Sequence, residues 1–278
     1  MTALEFTAVV LVLSALAGFL GALTGLGGGV VVVPALVLAL GVDMKYAIGA
    51  SLVSVIATSS GAASAYVREG FSNIRIGMFL EIATTLGAVA GAFLTGRVGT
   101  HTLAIVFGLM LLQAAYQSFK GMSDHGVSIE SDSLATRLRL GGAYPVDGKP
   151  QRYGVRNVPG GFAMMFGAGV LSGLLGIGSG AVKVIAMDRI MRIPFKVSTT
   201  TSNFMIGVTA AASAGLYFSH GYIDPRVAMP VMLGVLFGAL IGAKVLIHAH
   251  VKTLRIVFGV VILTLAIEMI VSGFTGKV

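Results

Sequence analysis

Gly25-Leu26-Gly27-Gly28-Gly29 returns 151 residues later as Gly176-Ile177-Gly178-Ser179-Gly180, each time inside a long apolar segment. Interior glycines weaken a helix, so a cluster of them predicts a break that bares backbone N–H groups. A helix that restarts after such a break aims its positive end and free amides at whatever fills the gap, and that suits an anion.

Working outward from the two clusters, residues 18–119 overlay residues 169–270 without a gap. Lys45 falls on Lys196, Ser51 on Ser202, Thr58 on Thr209, Tyr66 on Tyr217, Gly87 on Gly238 and Gly91 on Gly242. The chain is therefore a duplicated unit, and its two halves are read as the same element used twice.

Composition fixes the class. With 56% hydrophobic and 11% charged residues and a mean hydropathy of +0.94, the chain reads as a polytopic membrane protein. The absence of cysteine removes disulfides and thiolate metal sites. A net charge of +8 raises nucleic acid as a partner, but the cations are scattered over short connections, so sorting across a membrane is the simpler cause.

Residues 6–24 are apolar enough to cross a bilayer, which takes roughly 20 helical residues. No Lys or Arg precedes them and the apolar run continues to residue 42, so they are read as a span and not as a cleaved leader. Residues 6–42 then form a helix–break–helix pair, followed by spans over 47–67, 76–95 and 102–119. Residues 120–159 are the one long polar segment, and Tyr144-Pro145-Val146-Asp147-Gly148-Lys149 within it predicts a hairpin turn between short strands. The unit then repeats, giving a first transmembrane repeat over 1–119, a linker over 120–159 and a second repeat over 160–278.

Charge decides how the halves face. If each broken pair enters and returns to its starting side, a repeat has an odd number of crossings and the halves are inverted. One side then collects Arg68, Arg75, the linker cations, Arg189, Arg192, Lys196, Lys244, Lys252 and Arg255, while the other keeps Lys45, Arg97, Arg226 and Lys277. A single crossing per pair divides the cations almost evenly. The positive-inside rule therefore favours two inverted repeats, each a re-entrant helix pair plus three transmembrane helices, with a cytoplasmic linker and both termini outside. The expected fold is an all-α polytopic membrane protein in the cell membrane.

Such a fold places a site near the midplane, where the breaks approach from opposite faces. Gly27, Gly28 and Gly29 in one break, and Gly178, Ser179 and Gly180 in the other, are candidate anion ligands through their backbone. Counting at about 1.5 Å per residue from Gly29 to Asp43 and back along the next span puts Thr58-Ser59-Ser60 level with the first break, and Thr209 level with the second. Ser51 and Ser202 are further hydroxyls of the lining; the ordinary alternative for all of these is a hydroxyl bonded to its own helix. Lys183, three residues past the second break where the first half has Val32, is the most informative residue. It is either a functional intramembrane cation or a side chain that snorkels to the headgroups. Asn203, opposite Leu52 in the overlay, closes the polar run Thr199-Thr200-Thr201-Ser202, which lines the substrate path or caps its helix. Glu81 and Glu268 are candidates for a coupling ion, Glu81 having the alternative of a shallow pair with Arg75. His248 and His250 fall at a span end and mark the interface.

The pattern Gly176-x-Gly178-x-x-Ala181 fits a relaxed dinucleotide fingerprint, but no soluble strand–helix–strand surrounds it and Asp188 comes too soon. No metalloprotease, nucleophile-elbow, P-loop or carboxylate–histidine motif occurs, so no cofactor or metal is expected, and neither is an enzyme.

The glycine cluster leading through valines into Val33-Pro34, followed by Ala47-Ile48-Gly49-Ala50-Ser51, resembles the sulfite exporter TauE/SafE family of membrane permeases. The resemblance covers both halves; Ile185 in place of Pro34 and the charge of Lys183 are departures in the second. It implies transport of a small sulfur-containing anion such as sulfite, thiosulfate or a sulfonate. The expectation is a secondary transporter with alternating access, read as an exporter with a proton or sodium ion as the coupling partner, and a passive anion channel and a membrane enzyme or scaffold are the competing readings. The anion and the lipid bilayer are the expected partners, and nucleic acid is not.

Overall fold

The structure, a computed structural model, describes the backbone except at residues 1, 25–27, 69–70, 121–129, 147–148, 247–250 and 278, and the side chains except also at 3, 22–24, 61–68, 120, 243–246 and 251–255. Gly25 and Gly27 of the first break, and His248 and His250, therefore lie outside the described residues.

Local sequence sets the helix starts. In α1 (Ala3–Thr24), Thr2 and Glu5 exchange reciprocal side-chain and backbone bonds, the N–H of Thr2 donating to Glu5 at 2.8 Å, which is a capping box. After the break come α2 (Gly29–Pro34), a π-wound turn over Ala35–Ala39, and then α3 (Met44–Arg68), α4 (Ile74–Thr95) and α5 (Thr100–Lys120). Asn73 caps α4 by accepting from the Ile76 N–H at 3.1 Å. The linker holds a short helix α6 (Ser133–Arg137) and the strands β1 (Gly142–Val146) and β2 (Lys149–Tyr153), antiparallel with Val146 opposite Lys149. The hairpin expected from the turn sequence is thus present, whereas α6 had no sequence signal.

The second half comprises α7 (Val158–Leu175), α8 (Gly180–Ile185), a π-wound turn over Ala186–Ile190, α9 (Phe195–Ser219), α10 (Pro225–Leu246) and α11 (Val251–Thr275). Moving the bounds of α2, the first π turn, α3 and α4 by 151 residues (29 to 180, for instance) reproduces those of α8, the second π turn, α9 and α10. The π winding is common to both halves although one has Pro34 and the other Ile185, so the missing proline N–H is not its cause.

α1, α4, α5, α7, α10 and α11 each hold a segment long and apolar enough to span a membrane. The chain is an all-α polytopic membrane protein apart from its hairpin. Among the described residues α3 and α9 carry most of the buried Ser and Thr hydroxyls and run through the interior, where neighbouring helices and not lipid meet their polar groups. The pairing between halves is reciprocal: α1 packs on α10, α4 on α7, α3 on α9 and α5 on α11. Glycine allows the first two to touch backbone to backbone; a Cβ on Gly238 would sit 1.9 Å from the Ala15 carbonyl, and one on Gly91 2.1 Å from that of Val170.

α3 and its repeat equivalent α9 pack in opposite directions. The start of α3 lies at the end of α9, where Lys45 stacks on Tyr222 at 5.4 Å. At the other end of the bundle, Lys196 at the start of α9 lies 4.0 Å over the ring of Phe71, which follows α3. α5 and α11 are likewise antiparallel, since Gly273 abuts His101 and Ile105 while Gly259 abuts Phe119. The linker packs at the Phe71 end: Asn73 donates to the Leu140 carbonyl at 3.1 Å, and the N–H of Arg156 donates to the Met191 carbonyl at 3.0 Å. Ala135, Leu140, Tyr153 and Val155 of the linker share a buried cluster with Ile76, Leu80, Met187 and Met191.

Candidate functional site

The two breaks meet. A Cβ on Gly29, the first residue of α2, would lie 2.5 Å from Ser51 Oγ and 3.4 Å from the carbonyl oxygen of Gly176 in the other half. Ser51 donates to that same carbonyl at 2.9 Å, so one serine fastens both breaks together. Gly28 rests against Val235 and the backbone of Gly18, folding α2 back along α1. In the second half, Gly176 (φ +67°) and Gly178 (φ +71°) occupy left-handed backbone, as Ser179 does at φ 44°. Ser179 donates to the Ala168 carbonyl at 2.6 Å, and Ser202 to the Gly180 carbonyl at 3.3 Å. Ser51, Ser179 and Ser202 thus lie around the breaks, and each hydroxyl donates to a backbone carbonyl, that of Gly176 at the break itself and those of Ala168 and Gly180 within the flanking helices. Gly178 and Gly180 pack against Ile206. The amides of Gly178, Ser179 and Gly180 meet no acceptor among the described residues.

The level of the first break differs from the count. Gly29 lies beside Ser51 and Val55 and not beside Thr58-Ser59-Ser60. The residues between Gly29 and Asp43 include a π turn and an irregular connection, which advance less per residue than the α-helix assumed in the count. Thr58 is bonded only to its own helix, through the carbonyls of Ser54 and Val55.

Its counterpart Thr209 is the centre of the site. Lys183 is 0% exposed, and its Nζ donates to Thr209 Oγ1 at 2.6 Å. Thr209 Oγ1 lies 2.6 Å from Glu81 Oε1 as its donor, sharing the hydrogen with the Met205 carbonyl at 2.9 Å. Lys183 reaches that level because side chains lean toward the N-terminus of their helix, and the N-terminus of α8 is the break. Thr85, one turn along α4, also donates to Glu81 Oε1 at 3.2 Å; it was not singled out in the sequence, where only its i+4 spacing from Glu81 marks it. Glu81 is 6% exposed, and its Oε2 is buried with no partner. An ammonium has three hydrogens to donate, of which the structure uses one here.

Two expectations change. Lys183 does not snorkel, and Glu81 makes no shallow pair with Arg75, whose guanidinium donates to the Arg139 carbonyl at 2.9 Å. Sequence order hid the true partner because α4 meets α9 only in the folded bundle. The two charges are linked through Thr209 and make no direct ion pair. A buried cation and anion stabilise each other's desolvation, whereas either alone would be costly. The link also joins the halves: Glu81 belongs to the first repeat, Lys183 and Thr209 to the second. The positions related by the repeat, Val32 and Met232, are uncharged, so the pseudo-symmetric structure carries one charged site and not two.

The remaining candidates lie outside the Lys183–Thr209–Glu81 network. The run before Asn203 does not cap α9, whose N-cap is Pro194; Thr200 donates to the Phe71 carbonyl at 3.1 Å, and Thr201 accepts from the Asn73 N–H at 3.0 Å. It fastens α9 to the α3–α4 connection. Asn203 is half-buried outside this network, and Glu268 is exposed on α11. Among the described residues no cluster of three or more metal-ligating side chains occurs.

A family model described as Sulfite exporter TauE/SafE matches residues 10–269. The probable membrane transporter protein YunE of Bacillus subtilis (strain 168) is 25% identical over 272 residues, covering 95% of this chain and 97% of the relative. YdhB of the same organism, also named a probable membrane transporter protein, is 26% identical over 241 residues, 85% of this chain and 87% of the relative. A probable membrane transporter protein of Xylella fastidiosa (strain 9a5c) is 25% identical over 258 residues, 92% and 91% of the two chains. No solved structure matches the chain.

Proposed function

From the premise that the chain belongs to the sulfite exporter TauE/SafE family, we propose that this membrane transporter is a secondary carrier of a small sulfur-containing anion such as sulfite, thiosulfate or a sulfonate. The observation that carries the reading is Lys183, a fully buried ammonium beside the restart of α8, with two hydrogens unspent among the described residues and a carboxylate from the opposite half as its indirect counter-charge. An anion entering between the breaks takes those hydrogens, and the open amides of Gly178, Ser179 and Gly180 add neutral donors.

Charge then sets the coupling. Once the anion neutralises Lys183, Glu81 is a buried carboxylate with no cation, and a proton on its unpartnered Oε2 restores neutrality. Movement of one repeat against the other opens the Thr209–Glu81 bond between them and exposes the site to alternate sides. In proteoliposomes, wild type will accumulate sulfite against its gradient when a proton gradient is imposed. Glu81→Gln will keep sulfite–sulfite exchange within a few-fold and lose uphill accumulation. Strictly downhill wild-type flux at channel rates would reject the carrier, and accumulation by Glu81→Gln would take the proton from Glu81.

The same reading inverts the halves across the bilayer, supported by the opposed directions of α3 and α9 and by the gathering of Arg75, Arg139, Arg156, Arg192 and Lys196 at the linker end. The chain has no cysteine, so single replacements report without background. Lys277→Cys should react with an impermeant maleimide in intact cells, and Lys149→Cys only after permeabilisation. Reaction of both in intact cells would remove the inverted arrangement.

A further inference from the structure

Where the linker meets the end of α4, a cleft of about 290 Å³ opens between Phe71-Ser72-Asn73-Ile74-Arg75 and the segment from Arg139 to Tyr153. Its polar groups are nearly all donors. Arg139 stands in left-handed backbone at φ 50° and its carbonyl accepts from the Arg75 guanidinium at 2.9 Å, so two arginines belong to the lining. The Ser72 hydroxyl is buried without a partner. Tyr153, 4% exposed, accepts from Asn73 Nδ2 at 2.7 Å, and its own hydrogen has no acceptor among the described residues. Burial pushes the Tyr153 phenol up to about 12, against the smaller opposing effect of the Asn73 bond, so it stays a donor through the physiological range. No acidic side chain lines the cleft among the described residues.

Two arginines with two uncommitted hydroxyls make a fork-shaped, donor-rich setting, and at the end of a membrane span it lies level with lipid headgroups. We infer that this cleft binds a phosphate group, carried by a free phosphate compound or by an anionic lipid headgroup, and that its occupation fixes the linker to the bundle. The linker side supplies Arg139 and Tyr153; the bundle side supplies Ser72 and Arg75. Asn73 passes the contact on, since its N–H donates to Thr201 in α9, the helix that carries Thr209. The ligand is separate from the transported anion, and the site stands whether or not the transport reading does.

The test uses the full-length protein in phosphatidylcholine nanodiscs, with inorganic phosphate titrated by calorimetry and spin-labelled phosphatidylglycerol measured for immobilisation in parallel. At least one probe binds wild type and Lys183→Met alike, and binds Arg139→Gln roughly tenfold more weakly, the effect of losing one charge-assisted contact. Phosphate binding alone identifies a free phosphate compound, and lipid immobilisation alone identifies the headgroup. Should Arg139→Gln lower the melting temperature, Ser72→Ala decides, because its hydroxyl holds nothing in the fold and its loss weakens only ligand binding. Failure of both probes to bind wild type, or equal affinities in wild type and the deciding variant, overturns the site.

Discussion

Lys183→Met will weaken anion binding about tenfold to hundredfold and, in the same protein, lower the stability of the folded state by about 3–5 kcal/mol, the cost of removing one partner from a buried charge pair. The methionine roughly fills the volume but leaves Glu81 buried with Thr209 and Thr85 as its only donors. The two effects separate in the double variant. Lys183→Met with Glu81→Gln removes both charges, so most of the stability returns while binding stays weakened, a coupling that single substitutions cannot display. Thermal melting in detergent reads the first quantity and titration of the anion the second. A single variant as stable as wild type would mean that the two charges are not paired through Thr209.

The second large effect belongs to Gly29. A Cβ there would lie 2.5 Å from Ser51 Oγ and 3.0 Å from Val55 Cγ2, and the atoms beyond it press on the Gly176 carbonyl. Gly29→Leu therefore forces the breaks apart where Ser51 holds them together. Overpacking of this kind costs about 1–3 kcal/mol, small enough for the protein to insert and fold. The site, however, moves by about an ångström or more, and misplacement on that scale can lower a rate on the order of a hundredfold. Gly167→Leu is the control, because a Cβ at Gly167 meets nothing within 4 Å. Transport by Gly29→Leu should fall at least about a hundredfold at near-normal expression, with the control close to wild type. Equal transport by the two would reduce the glycine at the break to ordinary helix packing.

The architecture was legible wherever it depended on the chain's neighbours in sequence. The glycine clusters marked the breaks because several adjacent interior glycines together weaken a helix, and the 151-residue repeat carried every boundary from α2 to α4 onto α8 to α10. The hairpin followed from its turn residues. What escaped depends on packing. Glu81 faces Lys183 only because α4 crosses to the other half, and along the chain its nearest cation is Arg75. The hydroxyls of Ser51, Ser179 and Ser202 were singled out, but not the backbone carbonyls they bond, since sequence shows no acceptors. The misplaced level of Thr58 reflects a π turn that neither Pro34 nor Ile185 announces.

The central claim is that a small anion binds against the Lys183 ammonium, and calorimetric titration of sulfite into wild type, Lys183→Met and Lys183→Arg tests it most directly. A charge-assisted contact of about 1.5–3 kcal/mol predicts tenfold to hundredfold weaker binding in Lys183→Met. Lys183→Arg, which returns the charge in a different shape, should bind with intermediate affinity. Equal sulfite affinity in all three proteins would contradict the account.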